Sequence, residues 1–309
     1  MEIMLRAAKG RLNLSGIFPP IPTPFRSDEC IAYEKLASNI EKWKTIPFAG
    51  FVVQGSNGEY PLLEPQERVD LVLKVREYLG CDRLIIAGSS CESTRATVKM
   101  TQKMAEAGAD AALVLAPHYY KSNMTVPTME KFFKTVADQS PVPVILYNMP
   151  ANTGIDMGPD IVTSLAHHPN IIGLKDSGGD ITKMARIVKK TEELDFQVLA
   201  GSAGFLLPSL LVGCVGGILG LANILGREVC QMLQCYHQGA VEEALVLHKK
   251  FLEPNAVVTR ELGVPAMKKA CEFAGLYGGP CRTPLLPLSE EQVNRVKNAF
   301  QKSCYFLEQ

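Results

Sequence analysis

Lys175 is the residue in this chain whose type and setting could do chemistry by itself. It closes the short apolar run Asn170-Ile171-Ile172-Gly173-Leu174 and is followed at once by Asp176-Ser177-Gly178-Gly179-Asp180. A run of that length and polarity is the mark of a strand buried on both faces. A lysine at its end has a stem held among apolar neighbours and an amine facing the end of the sheet. Burial disfavours the ammonium form, so such an amine becomes available as a nucleophile. The chemistry this points to is Schiff-base formation with a carbonyl substrate, after which the protonated imine serves as an electron sink for cleavage of the bond β to it.

Other polar residues end neighbouring apolar runs. Tyr147-Asn148-Met149-Pro150 follows Val142 to Leu146, and its phenol could move a proton near the lysine. Gln54-Gly55-Ser56-Asn57-Gly58-Glu59 follows Gly50 to Val53, where Ser56, Asn57 and adjacent backbone N–H groups could cradle a carboxylate. Ala200-Gly201-Ser202 and Ala116-Pro117-His118-Tyr119-Tyr120 end two further runs. Each has a plainer reading. Gly55 to Gly58 is also a good generic turn, Tyr147 could be an ordinary strand-end aromatic, and Tyr119-Tyr120 could be packing at a subunit contact. His167-His168 reads as an exposed helix end, and Met100 and Met104 as core fillers. The glycines from Gly213 to Gly220 lack the Gly-x-Gly-x-x-Gly spacing between strand and helix, and the downstream acidic residue, that a dinucleotide loop needs.

The elements that must position these groups alternate along the chain. Apolar runs begin near Gly16, Gly50, Leu84, Ala112, Val142, Ile171, Phe196 and Val215, and most of the stretches between them carry a helical period. Pro65 opens one helix, and Ser93 or Thr94 caps another. Eight such units predict a (β/α)8 TIM barrel over 16–225, with a doubly wound open sheet as the alternative. Residues 226–309 read as helices packed on the barrel, and 1–15 as an N-terminal arm. In such a barrel the reactive groups gather at the C-terminal ends of the strands, where the candidates above lie.

Composition excludes other classes. Thirty-two basic residues balance 32 acidic ones without a basic block, which argues against a nucleic-acid partner. An apolar fraction of 47% suffices for a core, yet no apolar run reaches the roughly 18 residues of a membrane span. The nine cysteines show no paired spacing, which suits a reducing compartment and argues against structural zinc. The basic start, with Arg6, Lys9 and Arg11, could be the remnant of a mitochondrial transit segment or a surface arm.

Taken together, Gly55-Ser56-Asn57-Gly58-Glu59, Tyr147-Asn148-Met149-Pro150, Lys175 to Asp180 and Ala200-Gly201-Ser202 resemble the dihydrodipicolinate synthase / N-acetylneuraminate lyase family of class I aldolases, from about Gly16 to Pro284. Within it, Cys91-Glu92-Ser93-Thr94, Ala151-Asn152-Thr153-Gly154 and Glu253-Pro254-Asn255-Ala256 are most similar to the animal 4-hydroxy-2-oxoglutarate aldolase branch, whose members are mitochondrial; a cytoplasmic location is the alternative. The resemblance implies that Lys175 forms the Schiff base with a small 2-keto acid. Tyr147 would relay the proton from the C4 hydroxyl, through a hydrogen-bonded chain with Ser56 and with Tyr119 of a neighbouring subunit. Ser56 and Asn57 would bind the pyruvate carboxylate, and Ser177 and Gly201 would contact substrate. The products would be pyruvate and glyoxylate, with oxaloacetate decarboxylation as a side activity, neither metal nor organic cofactor, and a homotetramer built as a dimer of dimers. Dihydrodipicolinate synthases usually carry an arginine where Asn152 stands, and N-acetylneuraminate lyases an acidic pair where Ala203-Gly204 stand. The sibling activities are a 2-keto-3-deoxy sugar acid aldolase, a hydratase-aldolase or a dihydrodipicolinate synthase. A non-catalytic barrel serving as a binding protein is the reading from another class.

Overall fold

In a computed structural model, which describes residues 12–305, eight parallel strands form one sheet that closes on itself. They are β1 Gly16–Phe18, β2 Gly50–Val53, β3 Leu84–Gly88, β4 Ala111–Leu115, β5 Val144–Asn148, β6 Ile171–Asp176, β7 Gln197–Ala200 and β8 Gly216–Ile218. Each pairs with the next, and β8 pairs with β1. The last seam, between β1 and β2, is closed by backbone bonds from Ala49 to Ile17, Val52 to Pro19 and Ile21 to Val52. The expected (β/α)8 barrel is therefore the observed fold.

Connecting helices cover the outside because parallel strands need a crossover. They are α1 Tyr33–Lys44, α2 Pro65–Leu79, α3 Thr94–Glu106, α4 Val126–Gln139, α5 Pro159–Ala166, α6 Ile181–Lys190, α7 Leu206–Leu211 and α8 Gly226–His237. Local chemistry starts several of them. Glu64 and Glu67 form a capping box before α2, with Pro65 in its first turn. Ser93 caps α3 by accepting from Ala96 N, and Asp180 caps α6 by accepting from Lys183 N. Phe132, Phe133, Ile161, Val162 and Ile187 fill the layer between helices and sheet, while Phe18, Val52, Ile86, Leu113, Ile145 and Leu199 fill the barrel itself.

Three more helices follow: α9 Val241–Ala256, α10 Gly263–Phe273 and α11 Glu290–Lys302. Local propensity would end α9 before Pro254, since a proline inside a helix removes a backbone donor. The helix instead runs through Pro254 and continues as a π-helical turn over Val257–Glu261, a usual way to absorb the hydrogen bond that proline cannot donate. Of the expected 1–15 arm, residues 1–11 lie outside the described residues. Leu14 is fully buried on the barrel floor, where the Gln197 amide accepts from Leu14 N at 2.7 Å and donates to Leu12 O at 2.9 Å.

One irregularity decides what the barrel can do. Val144 pairs with Ile171, but Ile145 pairs with Gly173, so β6 carries one extra residue there. Ile171 faces the helices; strict alternation from it would turn residue 175 the same way. The bulge re-phases the strand, so Leu174 faces outward and Lys175 inward, paired with inward-facing Tyr147. Gly173 is required at this point. A methyl group on it would strike the Gln197 carbonyl oxygen and press on Leu14 at 3.2 Å. Gly173→Ala should therefore lower unfolding free energy by about 1–3 kcal/mol in a denaturant titration. A stability equal to wild type would show that β6 and β7 are not in close register here.

Candidate active site

Lys175 and Tyr147 are 3% and 5% exposed, and the lysine Nζ lies 4.0 Å from the centre of the phenol ring. Burial pushes the Tyr147 phenol up, but the Lys175 charge and hydrogen bonding from Ser56, Lys175 and Ser177 outweigh it and hold the group below the usual phenol range. The neighbouring Tyr60 goes the other way. Burial drives it up to about 12, despite the Arg68 guanidinium stacked 5.3 Å from its ring centre. The two phenols at this mouth are thus shifted in opposite directions.

Ser56 and Asn57 sit in the short 3₁₀ turn Ser56–Gly58 at the end of β2. Ser56 Oγ lies 3.4 Å from the Tyr147 hydroxyl, within hydrogen-bonding reach, so the structure brings these two candidates together. Ser177 and Gly201 meet one strand end further round. Gly201 N donates to Asp176 O at 2.7 Å, and any side chain at 201 would collide with Ser177 Oγ. Above them opens a cavity of about 340 Å³, lined by Ser56, Tyr60, Pro61, Leu115, His118, Asn152 and Thr153. Asn152 lies exposed in the helical turn Pro150–Thr153 at its edge. Tyr119 is 77% exposed and packs edge-to-face on Tyr120, with 5.0 Å between ring centres. It does not join the Ser56–Tyr147 pair of its own chain. Among the described residues no group of three or more His, Cys, Asp or Glu side chains could hold a metal ion.

Comparison with known proteins agrees with this geometry. Residues 13–303 match the model of the dihydrodipicolinate synthetase family. The chain belongs to that family. A 4-hydroxy-tetrahydrodipicolinate synthase of Methanoculleus marisnigri is 34% identical over 284 residues, covering 91% of this chain and 97% of the relative. The crystal structure of dihydrodipicolinate synthase DapA-2 from Bacillus anthracis superposes with a TM-score of 0.90 at 30% identity, covering 94% of this chain and 99% of that one. YagE, a family protein of E. coli K12 solved in complex with pyruvate, gives 0.89 at 26% identity, covering 95% and 99%. The family is one of pyruvate-dependent class I aldolases and synthases. The relatives named here carry the synthase name, so the narrower likeness to the 4-hydroxy-2-oxoglutarate aldolases rests on the residues alone.

The polar groups that brace the strand end carrying Lys175 were not singled out from sequence. Outward-facing Asp176 is fully buried and pairs with Lys183 Nζ at 2.9 Å, while Lys183 also reaches Asp156 at 2.6 Å. Asn148 donates to both carboxylates, and Gly178 N donates to Asp176 Oδ1 at 2.7 Å. This cluster seals the outer face of β5 and β6 directly behind the Lys175–Tyr147 pair. Strand alternation next to Lys175 was the available signal for Asp176; the Lys183 partner had none. Arg68 plays the same part beneath β2 and β3, donating to Gln54 Oε1 at 3.0 Å, Gly88 O at 2.9 Å and Ser90 O at 3.2 Å.

Two outcomes are expected. Tyr147→Phe should lower turnover by about 10²–10⁴ without loss of the fold. In a tyrosinate absorbance titration it should also delete the component that ionises below the ordinary phenol range; a retained component would assign that ionisation elsewhere. Lys183→Met leaves Asp176 buried without its cation and should cost about 3–5 kcal/mol of stability in thermal or denaturant unfolding.

Proposed function

We propose that the chain is a Schiff-base aldolase cleaving 4-hydroxy-2-oxoglutarate to pyruvate and glyoxylate. The observation that carries the Schiff-base reading is the buried, inward amine of Lys175 held 4.0 Å over the Tyr147 ring, whose hydroxyl lies within reach of Ser56. Lys175 gives its ammonium proton to the Tyr147 phenolate and adds through the freed amine to the C2 ketone; that proton leaves with the carbinolamine hydroxyl as water, giving the protonated imine. Tyr147, now the phenolate, takes the C4 hydroxyl proton, shares it with Ser56 along their hydrogen bond, and later returns it to C3 of the enamine. The C3–C4 bond then breaks, its electron pair entering the imine to leave an enamine, and glyoxylate departs. Protonation at C3 and hydrolysis release pyruvate and restore the lysine. Ser56, Asn57 and the backbone around them bind the pyruvate carboxylate, and Ser177 and Gly201 border the rest. Exposed Tyr119 is offered to a neighbouring subunit's site in a homotetramer.

The choice of partner aldehyde rests on the cavity wall. Its seven lining residues include no lysine or arginine, and Asn152 stands where a synthase carries the arginine that grips its semialdehyde's carboxylate. Asparagine cannot form that charged fork. The curated relatives bear the name 4-hydroxy-tetrahydrodipicolinate synthase and so favour the second reading, condensation of pyruvate with an aspartate-derived semialdehyde.

Two assays test this. Incubation with pyruvate followed by borohydride reduction should attach pyruvate to Lys175, located by mass spectrometry, and Lys175→Ala should abolish the adduct; attachment elsewhere would defeat the mechanism. Glyoxylate release from 4-hydroxy-2-oxoglutarate, faster than condensation with the semialdehyde, supports cleavage. The reverse ranking would replace it with the synthase reading.

A further inference from the structure

The turn that carries Ser56 and Asn57 is held in an unusual way. The residues flanking it, Gln54 and Glu59, both adopt left-handed backbone conformations, with φ of +66° and +56°. Side chains other than glycine rarely do so, and such strain persists only where surrounding structure imposes it. Both residues are buried, and each is gripped by a buried cation. Gln54 exchanges hydrogen bonds with Arg68 through its side-chain oxygen and nitrogen. Glu59 is ion-paired at 2.6 Å with Lys268 of α10, the two side chains being 0% and 1% exposed.

The Lys268 end is built as carefully. Its Nζ also donates to Pro280 O at 2.7 Å and lies 4.5 Å from the centre of the Phe25 ring. The second Glu59 oxygen accepts from Arg282 N at 2.9 Å. Next along α10, Met267 and the Asn57 amide both close on Gly220; a methyl group there would lie 2.9 Å and 2.6 Å from them. Gly58 O accepts from Thr23 Oγ1 at 2.7 Å. The polar atoms of Glu59 and Lys268 are committed to one another, to Arg282 N and to Pro280 O, which leaves neither side chain directed at a substrate.

We infer that Glu59 and Lys268 are positioning residues, which lock the 55–58 turn into the shape that receives the substrate carboxylate and so make the C-terminal helices part of the active site. The inference rests on the Schiff-base reading above. Physically, a buried carboxylate is displaced only at high cost once its cation is fixed by other bonds. The strained residue at 59 therefore cannot relax, and the hydroxyl and amide three and two positions before it keep their directions.

The test separates positioning from mere stability. Lys268→Met alone strands a buried charge and can unfold the protein, so the informative variant is Glu59→Gln with Lys268→Met, since removing both charges of a buried pair is often neutral for stability. Its melting temperature should stay near wild type, while the pyruvate concentration that half-saturates borohydride trapping at Lys175 rises about 10- to 100-fold, the usual scale of a small misplacement of binding groups. Lys268→Arg, which keeps the charge but crowds Glu59 with a forked head, should show a smaller rise at an unchanged melting temperature. Wild-type half-saturation in the folded double variant, or in the arginine variant should the double variant not fold, overturns the inference alone. Absence of any Lys175 adduct in the wild-type protein overturns the Schiff-base reading and this inference with it.

Discussion

A single extra residue in β6 is the constraint on which the site depends. Without the bulge at the Val144–Ile145 register shift, the alternation set by Ile171 would aim Lys175 at the surrounding helices and Asp176 into the barrel. With it, the amine and the Tyr147 phenol stand side by side on the inner wall, and the carboxylate goes outward. The same shift therefore supplies both halves of the arrangement: a nucleophile facing the mouth and, one residue on, the anion that ties down the strand behind it. Gly173 permits this because the strand there runs too close to β7 for any side chain.

Around that pair the charges are sorted by face. Inside the barrel the Lys175 charge and hydrogen bonds from Ser56, Lys175 and Ser177 hold the Tyr147 phenol down against burial, whereas burial prevails at Tyr60 and raises it. Outside, ionic groups occur in matched sets: Asp176 with Lys183 and Asp156, Glu59 with Lys268, and Arg282 with Glu67 at 2.6 Å. These sets tie strand ends to helices, so the mouth of the barrel rests on a polar frame as well as on apolar packing. Such pairs add little net stability over apolar replacements, yet breaking one half is severe, which makes them better at specifying geometry than at strengthening the fold.

Much of this could be read from the residues. The eight apolar runs and the helical stretches between them lead to the barrel, with strand limits within a few residues of those observed, because parallel strands buried on both faces leave a strong signal. Lys175, Tyr147 and Ser56 come together as their positions at strand ends implied. The inward aim of Lys175 was another matter. Periodicity in a wholly apolar strand does not say which face is which, and a bulge has no signature there beyond a glycine. Helix α9 ran past Pro254 because packing on the barrel and a π turn absorbed what local propensity opposed. The supports were hidden for a different reason: Lys268 lies more than two hundred residues from Glu59, and no local pattern links them. Tyr119 lies outside its own chain's site, exposed and packed on Tyr120.

The cavity wall around Asn152 has a consequence for how such an enzyme changes over time. The groups that perform the chemistry are interior and braced from behind, so a replacement among them disturbs the whole strand end. Asn152 instead stands exposed on one turn of helix at the rim, with no hydrogen bond from its side chain among the described residues. An exchange there would change what the rim presents to the cavity while the buried residues beneath stay in place. Selection could thus retune the acceptor by a single rim residue and keep one ancestral reaction centre serving several metabolic trades.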